Sequence, residues 1–123
     1  MTQNIYQSIL EDTFVTALEG GSNYWAYIKE DTLSKIRKEG VPMSMYVLQA
    51  VLDGIDIDVY DVEGDDDEPI GTISMSTMTE RLDKLMNNEG CKHALLNMMN
   101  EEYDAEDADI VFQYIVLGEI TYA

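Results

Sequence analysis

The feature that most limits what this chain can become is its charge: 25 Asp and Glu stand against 7 Lys and Arg, a formal net charge of -18. That excess is far beyond what solubility requires, and its self-repulsion opposes any compact state. A chain can carry it as a disordered acidic tail or as a folded body with its acids turned outward. Acidic disordered chains are poor in aromatic and β-branched residues, whereas this one is 46% hydrophobic, with 8 Tyr, 1 Trp and several Ile-Val clusters. The consistent reading is a folded body. Its 123 residues suffice for one core and are too few for two ordinary domains, so residues 1–123 are expected to form a single acidic domain.

Hydrophobic spacing sets the expected elements. Asn4 and Gln7 have the spacing of a capping box, and Tyr6, Leu10, Phe14 and Leu18 then recur on one face of a helix that Gly20-Gly21 ends. Ser22 to Ile28 is an aromatic-rich connector, either a short strand or an extended segment, expected to pack the only tryptophan. Asp31 is placed to cap a short helix through Ile36, and a second helical run extends from Met45 to Leu52. Ile55, Ile57 and Val59 alternate with Asp56, Asp58 and Tyr60, the period of a strand with one wet face. With a turn at Glu63–Pro69 and a returning strand from Ile70 to Ser74, residues 55–74 predict a β-hairpin with an acidic tip.

Further along, Thr77 and Glu80 suggest a second capping box, and Met78, Leu82, Leu85 and Met86 a helical stripe interrupted by Asn87–Gly90. Cys91 to about Glu102 reads as helix with Leu95, Met98 and Met99 inward. Asp104 is a good N-cap for a last helix carrying Ala108, Val111, Phe112 and Ile115 on one face, and Gly118 closes it. Ile120 and Tyr122 alternate as a C-terminal edge strand. The expected fold class is α+β, helices packed around a small antiparallel sheet.

The charges are segregated along the chain. No Lys or Arg falls between Glu39 and Glu80, a span that holds the acids from Asp53 to Glu68, and none follows His93, against acids from Glu101 to Glu119. Carboxylates two apart on a strand repeat at about 6 to 7 Å, comparable with phosphates along one DNA strand. Such a surface attracts cationic partners and repels nucleic acid itself. The candidate partner-binding residues are therefore Asp56, Asp58, Asp61, Glu63, Asp65, Asp66, Asp67 and Glu68 with Glu101, Glu102, Asp104, Glu106, Asp107 and Asp109. A rival reading makes Tyr24, Trp25 and Tyr27 a stacking surface for a small molecule such as a signalling nucleotide, with the basic segment Lys29–Lys38 supplying its counter-charge. A third is a structural or regulatory accessory.

Catalysis is not expected. His93 and Cys91 are two apart, a spacing that does not face both side chains together on a helix. No phosphate-binding glycine loop is present, and in an EF-hand reading of residues 53–63 neither Asp56-x-Asp58 nor Asp61-x-Glu63 places glycine at loop position six and Glu at position twelve. Loose Mg²⁺ or Ca²⁺ association at Asp65–Glu68 would be incidental, so no cofactor or metal site is assigned. One cysteine excludes an internal disulfide framework. No run approaches the roughly 20 apolar residues of a membrane helix, and Met1-Thr2-Gln3-Asn4 lacks the pattern of a signal peptide, so a cytoplasmic protein without a membrane partner is expected.

Two segments carry a resemblance. Ala17-Leu18-Glu19-Gly20-Gly21-Ser22-Asn23-Tyr24-Trp25, and Asp107-Ala108-Asp109-Ile110-Val111-Phe112-Gln113-Tyr114 followed by Gly118-Glu119, resemble small uncharacterised acidic proteins carried by phages and mobile elements. In physical type, without a shared motif, the chain is also similar to the DNA-mimicking anti-restriction and anti-CRISPR inhibitors of phages. The resemblance implies an anti-defence protein that binds a basic host effector, a CRISPR nuclease or restriction enzyme, and acts by competition without turnover. It carries over no site residue.

Overall fold

The computed structural model describes residues 3–122 and builds them around one helix that the chain surrounds on almost every side. In chain order the elements are α1 (Gln3–Thr16), a π-type turn (Ala17–Gly21), β1 (Ala26–Tyr27), α2 (Glu30–Ile36), α3 (Met43–Leu52), β2 (Ile57–Asp61), β3 (Gly71–Ile73), α4 (Met75–Met86), α5 (Lys92–Met99) and α6 (Ala105–Leu117). The result is a single α+β domain with an antiparallel sheet in the order β1-β2-β3.

Helix α6 is the central element because it is apolar nearly all round, the pattern of a helix with neighbours on every face. It packs on α1, α4, α5 and β3, and from Asp107 to Val116 every residue except Ile110 is buried. Phe112 meets Phe14 edge-on at 5.9 Å between ring centroids and Trp25 at 6.0 Å, contacts worth about 0.5–1.5 kcal/mol each beyond area burial. At its start a full capping box forms: the Asp107 amide donates to Asp104 Oδ1 at 2.9 Å and the Asp104 amide to Asp107 Oδ2 at 3.2 Å. At its end Gly118 takes φ 77°, a conformation that favours glycine. Arg81 donates to the carbonyls of Ile115 and Val116, and Lys84 to that of Gly118, all at 2.8 Å. These two cations answer the negative end of the helix dipole.

The expected hairpin forms, with Ile57 opposite Ile73, Asp58 opposite Thr72 and Val59 opposite Gly71. Gly71 is required where β3 crosses the end of α6: a Cβ there would lie 2.6 Å from the Val116 carbonyl oxygen. On the other edge of β2, Ala26 and Tyr27 pair with Asp61 and Tyr60. Trp25 is 1% exposed, and the connector does pack it. Of the methionines, Met78 and Met98 are buried and Met43, Met86 and Met99 lean on the same core, whereas Met75 is exposed.

Several local expectations are corrected. Strand β2 begins at Ile57, and Ile55 is exposed after the turn that ends α3. Tyr60, expected on the wet face, is buried because β1 covers it with Tyr27 and Lys29 lies over its ring at 4.5 Å. Helix α2 starts at Glu30, so Asp31 sits in its first turn rather than at its cap. Helix α3 starts at Met43, immediately after Pro42. Helix α4 starts at Met75, capped by Ser74, whose hydroxyl accepts from the Ser76 amide, so Thr77 is already helical. Helix α5 stops at Met99 because Glu101 turns left-handed, φ 57°. The proposed capping box at Asn4 falls on a side chain outside the described ones, and α1 is already helical at Gln3. The C-terminal edge strand is replaced by a side-chain clasp: Gln113 Oε1 accepts from the amides of Thr121 and Tyr122, and its Nε2 donates to the Tyr122 carbonyl. A buried carboxamide thus satisfies backbone groups that would otherwise need a strand partner.

Candidate partner-binding surface

Of the hairpin acids, Asp58 and Asp61 lie within β2, Asp56 precedes it and the others belong to the turn. Asp58 faces out from β2 and accepts from Thr72 on the neighbouring strand at 2.9 Å. Asp61 closes the strand by accepting from the Glu63 amide at 2.8 Å, and Asp65 shapes the loop by accepting from the Asp67 amide at 2.8 Å. Asp56, Asp58, Glu63 and Asp65 to Glu68 are all exposed, while Asp61 is half-buried. Among the described residues the acid–base ion pairs are Glu30 with Arg37 and Glu89 with Lys92, both away from this loop. Neither pair uses a hairpin acid.

The aromatic connector joins this block to the start of α6. Tyr27 donates to Asp66 at 2.5 Å, and the Val62 amide donates to the Trp25 carbonyl at 2.9 Å. Tyr122 stacks on Trp25 at 4.8 Å and donates to Asp61 at 2.6 Å. On the other side Tyr24 donates to Asp109 at 2.5 Å and lines a small cavity with Glu106. The two acidic blocks thus meet the same connector from its two sides. These phenols titrate late. The bond to Asp66 pushes Tyr27 up to about 12, the bond to Asp61 pushes Tyr122 up to about 12, and burial followed by the bond to Asp109 raises Tyr24 further. Reciprocally, the Tyr122 hydroxyl and then the Glu63 amide hold Asp61 below the usual carboxylate range.

The second block is smaller than its sequence suggests. Glu101, Glu102, Asp104 and Glu106 are exposed around the α5–α6 turn and the start of α6. Asp12 lies near Glu101, and its carboxyl is raised by burial and then by that charge. Asp107 and Asp109, expected as contact residues, are buried and cannot meet a partner. Asp107 is held by its capping box and by Asn97, whose Nδ2 donates at 3.1 Å. Asp109 receives four hydrogen bonds, from Ser22 at 2.6 Å and the Trp25 indole at 2.8 Å on Oδ1, and from Tyr24 at 2.5 Å and Gln113 at 3.0 Å on Oδ2. Sequence reasoning missed this hub, although Asp109 and Gln113 lie four apart on a helix otherwise fit only for the interior, a spacing that puts both on one face.

The stacking surface is corrected by the same observations. Trp25 is buried under Tyr122, and the hydroxyls of Tyr24 and Tyr27 are held by carboxylates. Trp25 is thereby removed from any stacking surface, whereas Tyr24 is exposed and Tyr27 half-buried.

His93 is exposed, and Cys91 is half-buried in the residue before α5. Among the described residues no group of three or more His, Cys, Asp or Glu is placed to hold a metal ion, and no helix is long and apolar enough to cross a membrane. Compared with protein-family models, with curated proteins and with solved structures, the chain gives no match.

Proposed function

We propose that this protein is an inhibitor that works by occupancy: its acidic hairpin face fills a cationic cleft in which a partner protein would otherwise hold nucleic acid. The observation that carries this reading is the exposed loop Asp65–Glu68, with Asp56, Asp58 and Glu63, none of them in an ion pair with Lys or Arg among the described residues, set on a chain with a buried apolar core. Carboxylates carried on a folded hairpin would offer a cationic cleft negative charge, as a phosphate backbone does, at a smaller ordering cost than a disordered acidic tail. Glu106, beside Tyr24, and Glu101, Glu102 and Asp104 around the α5–α6 turn are further exposed acids that would add to the attraction. The partner proposed is a host defence effector, a CRISPR nuclease or restriction enzyme in the bacterial cytoplasm, in keeping with the likeness in physical type to DNA-mimicking inhibitors, and the mechanism requires no turnover.

The test is competition. Labelled duplex DNA bound to a panel of such effectors is titrated with the protein at low and high salt. Displacement should weaken steeply as salt rises and weaken again when Asp65, Asp66 and Asp67 are changed to Asn. Displacement indifferent to both treatments, or none from any effector, would remove the proposal.

A further inference from the structure

Beside the acidic loop lies an apolar hollow that the charge reading alone does not use. It encloses about 230 Å³ and is walled by Leu18, Ile28, Leu33, Met43, Tyr27 and Val62. Val62 is 42% exposed, an apolar side chain left open directly before the acid-rich turn. Tyr27 belongs to both features: it is one of the residues that line the hollow, and its hydroxyl donates to Asp66 Oδ1. Asp66 Oδ2 has no hydrogen-bond partner among the described residues.

An apolar slot with a carboxylate at its mouth fits a side chain with a hydrocarbon stem and a cationic head. Resting on the proposed function above, we propose that this hollow receives one arginine of the partner, its methylenes against Leu33, Met43 and Val62 and its guanidinium against the Tyr27 ring, with an edge reaching Asp66 Oδ2. Arginine is favoured over lysine because a planar guanidinium both stacks on an aromatic face and forks onto a carboxylate. The same face already seats a cation of its own: Lys29 Nζ lies 4.5 Å above the Tyr60 ring, and Tyr60 is 5.7 Å from Tyr27. The exposed acids from Asp65 to Glu68 outweigh that one positive charge at the entrance. Arginine is also among the residues that most often dominate binding energy at an interface, so the slot turns a diffuse attraction into a positioned one.

The experiment titrates the isotope-labelled full chain with hexa-arginine and with hexa-lysine, reading backbone amide shifts. The expected result is tighter binding of hexa-arginine, with saturable shifts at Ala26, Tyr27, Ile28, Leu33 and Val62 as well as in residues 63–68. In Tyr27→Leu, which keeps an apolar wall at a half-exposed position, hexa-arginine should bind roughly three- to fivefold more weakly, the size of an exposed cation–π contact, and its advantage over hexa-lysine should vanish. Asp67→Asn should weaken both peptides equally. If the two peptides bind alike and the shifts stay within residues 63–68, the slot is overturned while the acidic face stands. If neither peptide gives a saturable shift anywhere, both proposals fall.

Discussion

Changing Asp109 to Asn tests whether the buried carboxylate ties the connector to the central helix. Four donors converge on its two oxygens, and two of them cannot turn into acceptors: the Trp25 indole N–H on Oδ1 and the Gln113 Nε2 on Oδ2. Gln113 cannot rescue the substitution by flipping, because its Oε1 is already fixed by the Thr121 and Tyr122 amides. Whichever way the new amide is turned, its NH₂ meets one donor-only group, while Ser22 or Tyr24 on that side can rotate to accept. One buried donor left unsatisfied costs about 1–3 kcal/mol, and the bonds that survive weaken from charge-assisted strength toward the roughly 1 kcal/mol of a neutral pair. Relief from burying a charge offsets part of this. The net expectation is a loss of about 2–4 kcal/mol, a large share of the roughly 5–15 kcal/mol that holds such a domain. Urea unfolding followed by Trp25 fluorescence measures it, with Glu106→Gln, an exposed acid one turn earlier, expected within about 0.5 kcal/mol of the parent. A loss below about 1 kcal/mol for Asp109→Asn, at an unchanged denaturant slope, would refute the reasoning.

Gly71→Ala should cost about 1–3 kcal/mol, because the added methyl meets the Val116 carbonyl and side chain at 2.6 and 2.7 Å; thermal melts check it, and an unchanged melting temperature would mean that β3 can move off α6. In alkali, unfolded tyrosines lose their proton near pH 10 whereas Tyr27 and Tyr122 keep theirs to about 12 when folded. The folded state then binds more protons across that window, so this stabilisation is complete below about pH 10 and is lost as pH rises toward 12. Tyrosinate absorbance should therefore rise at higher pH in the native protein than in urea, and coincident curves would contradict it.

Much of the framework is legible in the residues because it depends on local chemistry. The hairpin follows from alternation and its turn, the last helix from Asp104 and Gly118, and the break at Asn87–Gly90 from its composition. What escapes local reading depends on long-range neighbours. Asp107 and Asp109 look like solvated first-turn acids until Ser22, Trp25 and Asn97 arrive from far along the chain. Tyr60 looks outward until β1 covers it. The C-terminal segment alternates like a strand, yet Gln113 supplies the partner that a strand would have sought. The hollow beneath Tyr27 draws its walls from five separate segments, so no single stretch of sequence announces it.

The placement of Arg81 and Lys84 has a consequence beyond the helix they secure. Two of the chain's few cations are turned toward carbonyl groups at the end of α6, where they steady the fold without cancelling the carboxylates outside. In solution the molecule must therefore travel with a diffuse cloud of small cations. Were a basic surface to close over the hairpin as proposed, part of that cloud would escape into the bulk, and the entropy so gained would be a driving force of the kind DNA supplies.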